Sequence, residues 1–173
     1  MYYQYPLETL ARLRDSRSQL EFARQAREAL PQGDDVVSEP LDRGLAIFAA
    51  NEEALAGPTR VLQEIYGDGI EVRGPRIRYI PGDPLYEPIM HVRIVTRRQW
   101  AWHVLNELKM RQGRILEECA RGRDVIVRAE VPLALMLGFE ALLEAMTHGQ
   151  ATSTSRLSRY APVPPKDPVR EAA

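Results

Sequence analysis

Between Arg97 and Arg123 the chain carries seven basic side chains: Arg97, Arg98, Lys109, Arg111, Arg114, Arg121 and Arg123. Arginine presents a planar fork of donors that matches phosphate oxygens, so a cluster of this kind is suited to binding phosphate. Residues 93–128 hold 9 bases against 4 acids, whereas residues 1–80 hold 10 arginines against 13 acids. The second half therefore has a basic segment inside a chain of formal net charge -1. The same distribution also suits a solvated face with Arg97 and Arg98 in ordinary ion pairs.

Other residue types offer less. Trp100 and Trp102 stand two positions apart, so they cannot share one helical face. One reading stacks one of them on a base or a partner. The other packs one on a sheet and one at the seam between two units. His91, His103 and His148 lack metal-ligand spacing, and the single cysteine, Cys119, has no CxxC partner. They read as structural or surface residues, and a lone cysteine fits a reducing compartment. Glu117 with Glu118, and Asp34 with Asp35, lie next to expected turns and read as solvated pairs. Ser153 and Ser155, beside Thr152 and Thr154, have no activating histidine motif. No G-x-x-x-x-G-K-[ST] phosphate loop occurs in the 173 residues. The residues point to binding rather than catalysis, with no cofactor and no metal.

The elements that must hold these side chains are legible in the pattern. Residues 7–14 read as a strand or the start of a helix. Ser16 or Ser18 caps a helix over residues 18–30 whose face is Leu20, Ala23, Ala26, Ala29 and Leu30. Pro31, Gln32 and Gly33 end it. Residues 35–39 read as a short strand, 41–44 as a hairpin turn and 45–50 (LAIFAA) as a buried strand. Asn51 caps the next helix, in which Pro58 either opens a fresh helix or makes a kink. Residues 70–72 and 77–80 form a strand interrupted around Gly74 and Pro75. The Pro-rich stretch over residues 80–88 is the clearest linker.

After it the same order recurs. Residues 89–96 are a strand. Residues 100–110 are a helix with Ala101, Val104, Leu105 and Leu108 inward. Residues 114–119 and 125–131 are strands joined by a turn at 121–124. Residues 133–147 are a helix apolar nearly all round, stopped at His148 and Gly149, and 151–160 are a last strand. The chain is thus predicted to be α+β: two tandem ferredoxin-like (split β-α-β, βαββαβ) domains, antiparallel sheets with helices on one face. The boundaries are 1–80, a linker at 81–88, 89–164, and a Pro-rich tail at 165–173. The all-round apolar helix asks for cover, which motivates a homo-oligomer or a protein partner.

The second unit resembles domain V of translation elongation factor G. The resemblance rests on Glu87-Pro88-Ile89-Met90, Val95-Thr96, Arg111-Gln112-Gly113-Arg114-Ile115 and Arg128-Ala129-Glu130-Val131-Pro132-Leu133-Ala134. Gly138-Phe139, Thr147-His148-Gly149 and Tyr160-Ala161-Pro162-Val163-Pro164 complete it. The first unit resembles domain III of the same factor, with Gly74-Pro75 before its last strand. It departs at residues 49–57 (AANEEALAG), where the family carries a Gly-Met-Gly-Glu-Leu-His-like signature that serves contact with the GTPase switch regions. The resemblance implies that the seven basic residues face large-subunit ribosomal RNA. It implies a non-catalytic, cytoplasmic, ribosome-associated protein that modulates translation. The other reading is an interaction or assembly module that keeps the fold and has left the ribosome. The N-terminus has no apolar signal region and no run spans a bilayer, so no membrane association is expected.

Overall fold

The computed structural model describes residues 3–15, 17–31 and 33–165. Ser16, Gln32 and the tail from Lys166 onward lie outside the described residues. The first half runs β1 (Leu7–Leu13), α1 (Gln19–Ala29), β2 (Val36–Leu41), β3 (Gly44–Ala49), α2 (Glu52–Tyr66), a single 3-10 turn, β4 (Ile70–Val72) and β5 (Arg76–Ile77). The second runs β6 (Tyr86–Arg97), α3 (Arg98–Met110), β7 (Arg114–Arg121), β8 (Asp124–Pro132), α4 (Leu133–Met136), α5 (Phe139–Thr147) and β9 (Thr152–Pro162).

Two antiparallel sheets result, ordered β2-β3-β1-β4 and β7-β8-β6-β9. β5 joins the first beside β1. β4 pairs with the end of β1 and β5 with its start, so together they form the interrupted edge strand expected around Gly74 and Pro75. The βαββαβ order thus occurs twice, as the periodicities require.

Local chemistry sets the boundaries. Ser18 is the N-cap of α1, its hydroxyl accepting from the Glu21 amide. The buried face of α1 is Phe22, Ala23, Ala26 and the following Leu30; Ala29 faces solvent, because Phe22 sets the stripe one residue off the expected one. Asn51 caps α2 by accepting from the Ala54 amide at 2.8 Å. α2 runs unbroken through Pro58, so no fresh helix starts there. Leu55 and Leu62, buried on either side of Pro58, hold that register against the lost backbone bond.

β6 starts at Tyr86, three residues before the expected strand. Glu87 and Pro88 pair only with β9, since β8 reaches no further than Ile89. Pro88 therefore stands where β6 has one neighbour, the position a strand proline tolerates. The linker is a closed loop: the Ile80 and Tyr86 amides and carbonyls exchange two bonds of 2.9 and 3.0 Å.

The expected single helix over residues 133–147 is two. Leu137 is extended and Gly138 is left-handed at φ 77°, which only glycine adopts without strain. The break re-aims the apolar residues. Leu133, Met136, Phe139 and Leu143 are buried, while Ala141, Glu144 and Ala145 are exposed. Leu142 is the one large apolar side chain of this segment left exposed, so the apolar face needs little cover from a second chain.

Each half has its own core. Leu7, at the start of β1, is an exception and belongs to the second core. The halves also touch through polar bonds. Asn51 donates to the Ser155 carbonyl at 3.0 Å, and Tyr160 donates to the Tyr3 carbonyl at 2.9 Å. The Gly138 amide donates to the Glu52 carboxylate at 3.0 Å.

Candidate nucleic-acid interface

The seven basic residues do not form one patch. α3 has 13 residues, so its two ends lie about 18 Å apart at 1.5 Å per residue. Arg97, Arg98, Arg121 and Arg123 cluster at its beginning. Lys109, Arg111 and Arg114 stand at its far end.

The first group is built by a helix start beside a hairpin turn. Arg97 ends β6 and occupies the N-cap position of α3 without a capping side chain. The Arg98 amide donates to the Arg123 carbonyl at 3.1 Å, which ties the helix to the turn. Gly122 closes that turn at φ 60°. The remaining first-turn amides have no side-chain cap, so the positive end of the helix dipole opens on arginines. Arg97, Arg98, Gln99, Gly122, Arg123 and Gln150 line a shallow cavity of 580 Å³ there. Arg97 pairs with Asp124 at 3.1 Å with both side chains about half exposed. Arg98, Arg121 and Arg123 have no ion pair among the described residues. The arrangement can take phosphate oxygens through cations and backbone amides together.

The second group is mostly engaged within the chain. The Arg111 side chain is only 20% exposed. Its Nε meets Glu107 at 2.7 Å, and its Nη1 donates to the Leu135 carbonyl at 2.6 Å and the Leu137 carbonyl at 3.3 Å. It also lies over the Phe139 ring, 5.4 Å from the centroid. Arg111 thus caps the open carbonyls of α4, a structural duty that its motif did not reveal. Gln112 is left-handed at φ 58°, and its amide donates to the Lys109 carbonyl while that of Gly113 donates to Leu108 at 2.7 Å. That pair of bonds is the Schellman ending of α3. The Arg111-Gln112-Gly113 run is therefore a helix stop. Arg114 pairs with Glu130 at 2.6 Å, and Lys109 is exposed.

Neither tryptophan packs on the sheet. Trp100 is half-buried among His103 and His148, with its Nε1 toward Gln150 at 3.4 Å. Trp102 is 67% exposed. It stands four residues after Arg98, so both project from one side of α3. Glu117 is a mid-strand residue paired with Arg128 at 2.7 Å, not a turn acid. Cys119 is half-buried on β7. No group of three metal-ligand side chains gathers among the described residues, and no helix there is long and apolar enough to cross a membrane.

A second basic surface was missed in the sequence. On the sheet face opposite the helices, Arg93, Arg128 and Arg156 surround a shallow cavity of 480 Å³ together with His91 and Thr154. Period-two alternation along β6, β8 and β9 was the signal that puts them on one face.

The family described as elongation factor G C-terminus matches residues 84–170, half of the chain. The chain belongs to that family. Elongation factor G of Granulibacter bethesdensis is 35% identical over 99 residues, covering 57% of this chain. The chain spans 13% of the length of that elongation factor G. A crystal structure of a Thermus thermophilus protein superposes with a TM-score of 0.67 at 17% identity, covering 91% of this chain and 41% of that one. That likeness bears on fold and extends over both sheets, beyond the stretch matched to the elongation factor G C-terminus.

Proposed function

We propose that this elongation factor G C-terminus relative acts in translation by docking on ribosomal RNA of the large subunit near the translational GTPase site, without catalysing a reaction. In this reading residues 1–80 are a domain III-like unit, 81–88 the linker, 89–164 a domain V-like unit and 165–173 a tail. The protein is cytoplasmic and modulates the traffic of translational GTPases. The observation that carries the reading is the start of α3. Arg98, Arg121 and Arg123 have no ion pair among the described residues; Arg98 and Arg123 stand beside uncapped amides, with Arg97 held by Asp124. RNA duplexes are bound mostly through backbone and shape, so cations and amides suffice without base-reading side chains. Lys109 and Arg114 add charge at the far end, whereas Arg111 is engaged within the fold. Co-sedimentation with large subunits at low salt tests this. Wild-type protein is expected in the pellet, and R98E/R121E/R123E in the supernatant. Absence of wild-type protein from the pellet refutes it.

One observation favours a protein partner instead. Trp102, Met110 (82% exposed) and Leu116 leave large apolar side chains on α3 and β7. A pull-down that recovers one protein and no ribosomal RNA, and that fails with Trp102→Ala, would select an interaction module.

A further inference from the structure

The open face of the second sheet has an unusual charge arrangement, fixed by strand register. One row across the sheet reads Glu117, Arg128, Arg93, Thr154. The next reads Arg114, Glu130, His91, Arg156. Arg93 and Arg128 are directly opposite each other, which puts their Cβ atoms about 5 Å apart, and Arg156 lies on the diagonal from Arg93 at about 7–8 Å. Like charges in those positions repel and destabilise a sheet.

The acids on this face relieve that repulsion only in part. Glu130 is taken by Arg114 and Arg159, both at 2.6 Å, and by the Ser158 hydroxyl at 2.9 Å. Glu117 holds Arg128 from its outer side at 2.7 Å. Arg93 and Arg156 have no ion pair among the described residues. Between them and Arg128 lies the 480 Å³ cavity, with the Thr154 hydroxyl on its wall. The helices α3, α4 and α5 pack on the other face, and the first half meets this sheet along β9 through Asn51, so neither covers the arginines.

We propose that this face is a second RNA-binding surface, on which Arg93, Arg128 and Arg156 grip backbone phosphates. An anion between the three arginines converts their mutual repulsion into attraction, which is the charge complementarity that selects the occupant. The cavity has no aromatic platform for unstacked bases other than His91, so it takes the backbone of a duplex rather than a splayed single strand. Its identity as an RNA site rests on the reading above; its existence as a phosphate site rests on the register and on the arginines without ion pairs.

Titration of the full chain with a fluorescent RNA duplex of about 20 base pairs, at several salt concentrations, tests the proposal. Arg93→Gln combined with Arg156→Gln is expected to bind about tenfold or more weakly, with a log–log salt slope shallower by about 2, one unit per lost phosphate contact. The same variant is expected to unfold no earlier than wild type, since it removes like-charge repulsion. Glu117→Gln, which frees Arg128, is expected to bind more tightly. Unchanged affinity and slope in R93Q/R156Q overturn the proposal, as does wild-type protein that fails to bind the duplex. Saturation of the face by ATP with no response to the duplex assigns it to a free nucleotide and also overturns it. Ribosome pelleting of R98E/R121E/R123E is scored separately. Loss of pelleting there with R93Q/R156Q unaffected in both assays sinks the sheet site and leaves the α3 site standing. Duplex binding through the sheet without wild-type pelleting does the reverse.

Discussion

Replacing Arg111 should damage the fold of the second half before it damages any contact with RNA. The guanidinium makes two bonds to the carbonyls of Leu135 and Leu137 and one to Glu107, and it lies against Phe139. A bond from a charged donor is worth roughly 1.5–3 kcal/mol net. The 2.6 Å bond to Leu135 merits that figure, and the 3.3 Å bond to Leu137 the lower part of it. The ion pair to Glu107 adds about 0.3–0.5 kcal/mol as an i,i+4 helix pair, and the ring contact adds about 0.5–1 kcal/mol. Against these stands the entropy of holding a long side chain, up to about 2 kcal/mol. Arg111→Ala should therefore cost about 3 kcal/mol. Arg111→Lys should recover a minor part, because a lysine cannot fork between two carbonyls and a carboxylate. In a chain of this size about 3 kcal/mol corresponds to a melting shift of about 6–12 °C.

Trp100 and Trp102 are the chain's two tryptophans and both lie on α3, so their fluorescence in urea reports this half specifically. A loss of less than about 0.5 kcal/mol in Arg111→Ala, with ribosome pelleting abolished, would refute the reasoning and return Arg111 to the RNA-facing set.

Gln112→Gly should raise stability by about 1 kcal/mol, because the left-handed C′ position of the Schellman ending suits glycine. Gly113→Ala should lower it, since a Cβ there meets the Leu108 carbonyl oxygen at 2.7 Å; urea midpoints check both. Glu130 has its carboxyl pKa lowered to about 2 by hydrogen bonds from Arg159, Arg114 and Ser158. A depressed carboxyl stabilises the fold above its unfolded pKa, near 4.5, and loses that stabilisation as pH falls toward 2. Glu130→Gln should accordingly be less stable at pH 7, with the gap to wild type closing between about pH 4.5 and 2 in acid titrations of the urea midpoint. Glu140 behaves oppositely. Burial, then Glu53 and Glu52, raise its pKa, so the native state binds the proton more tightly and stability rises as pH falls toward 4.5. Glu140→Gln should be more stable than wild type at neutral pH, with the difference fading on acidification.

The fold was legible because its signals are local. Alternation in residues 89–96, the buried run in 45–50 and the caps Ser18 and Asn51 each fix an element without reference to the rest. Gly138 carried a signal too, since a glycine inside a helical pattern marks a weak point, but the apolar run around it outweighed that mark. What sequence could not show was which cations are already used. Arg98 and Arg111 look alike in composition. Only the broken helix, whose carbonyls must find a donor, turns Arg111 inward. The sheet-face arginines escaped notice because they are scattered from Arg93 to Arg156, and register alone gathers them.

The segment at residues 49–57 reaches across to the second half. Its Asn51 donates to the Ser155 carbonyl, on the outer strand of the second sheet, while capping α2 with the other end of the same amide. Its Glu52 accepts from the Gly138 amide at the start of α5, where a carboxylate meets the positive end of a helix dipole. Glu53 lies close enough to raise the pKa of Glu140. All three side chains thus act on the second half. Residues 49–57 are among those that join the two halves. An Asn51→Ala variant would lose both bonds of that amide. The Glu52–Gly138 and Tyr160–Tyr3 bonds and the packing of Leu7 and Ile77 on the second core would remain. The relative placement of the second half's two basic surfaces and the first half therefore depends in part on this segment.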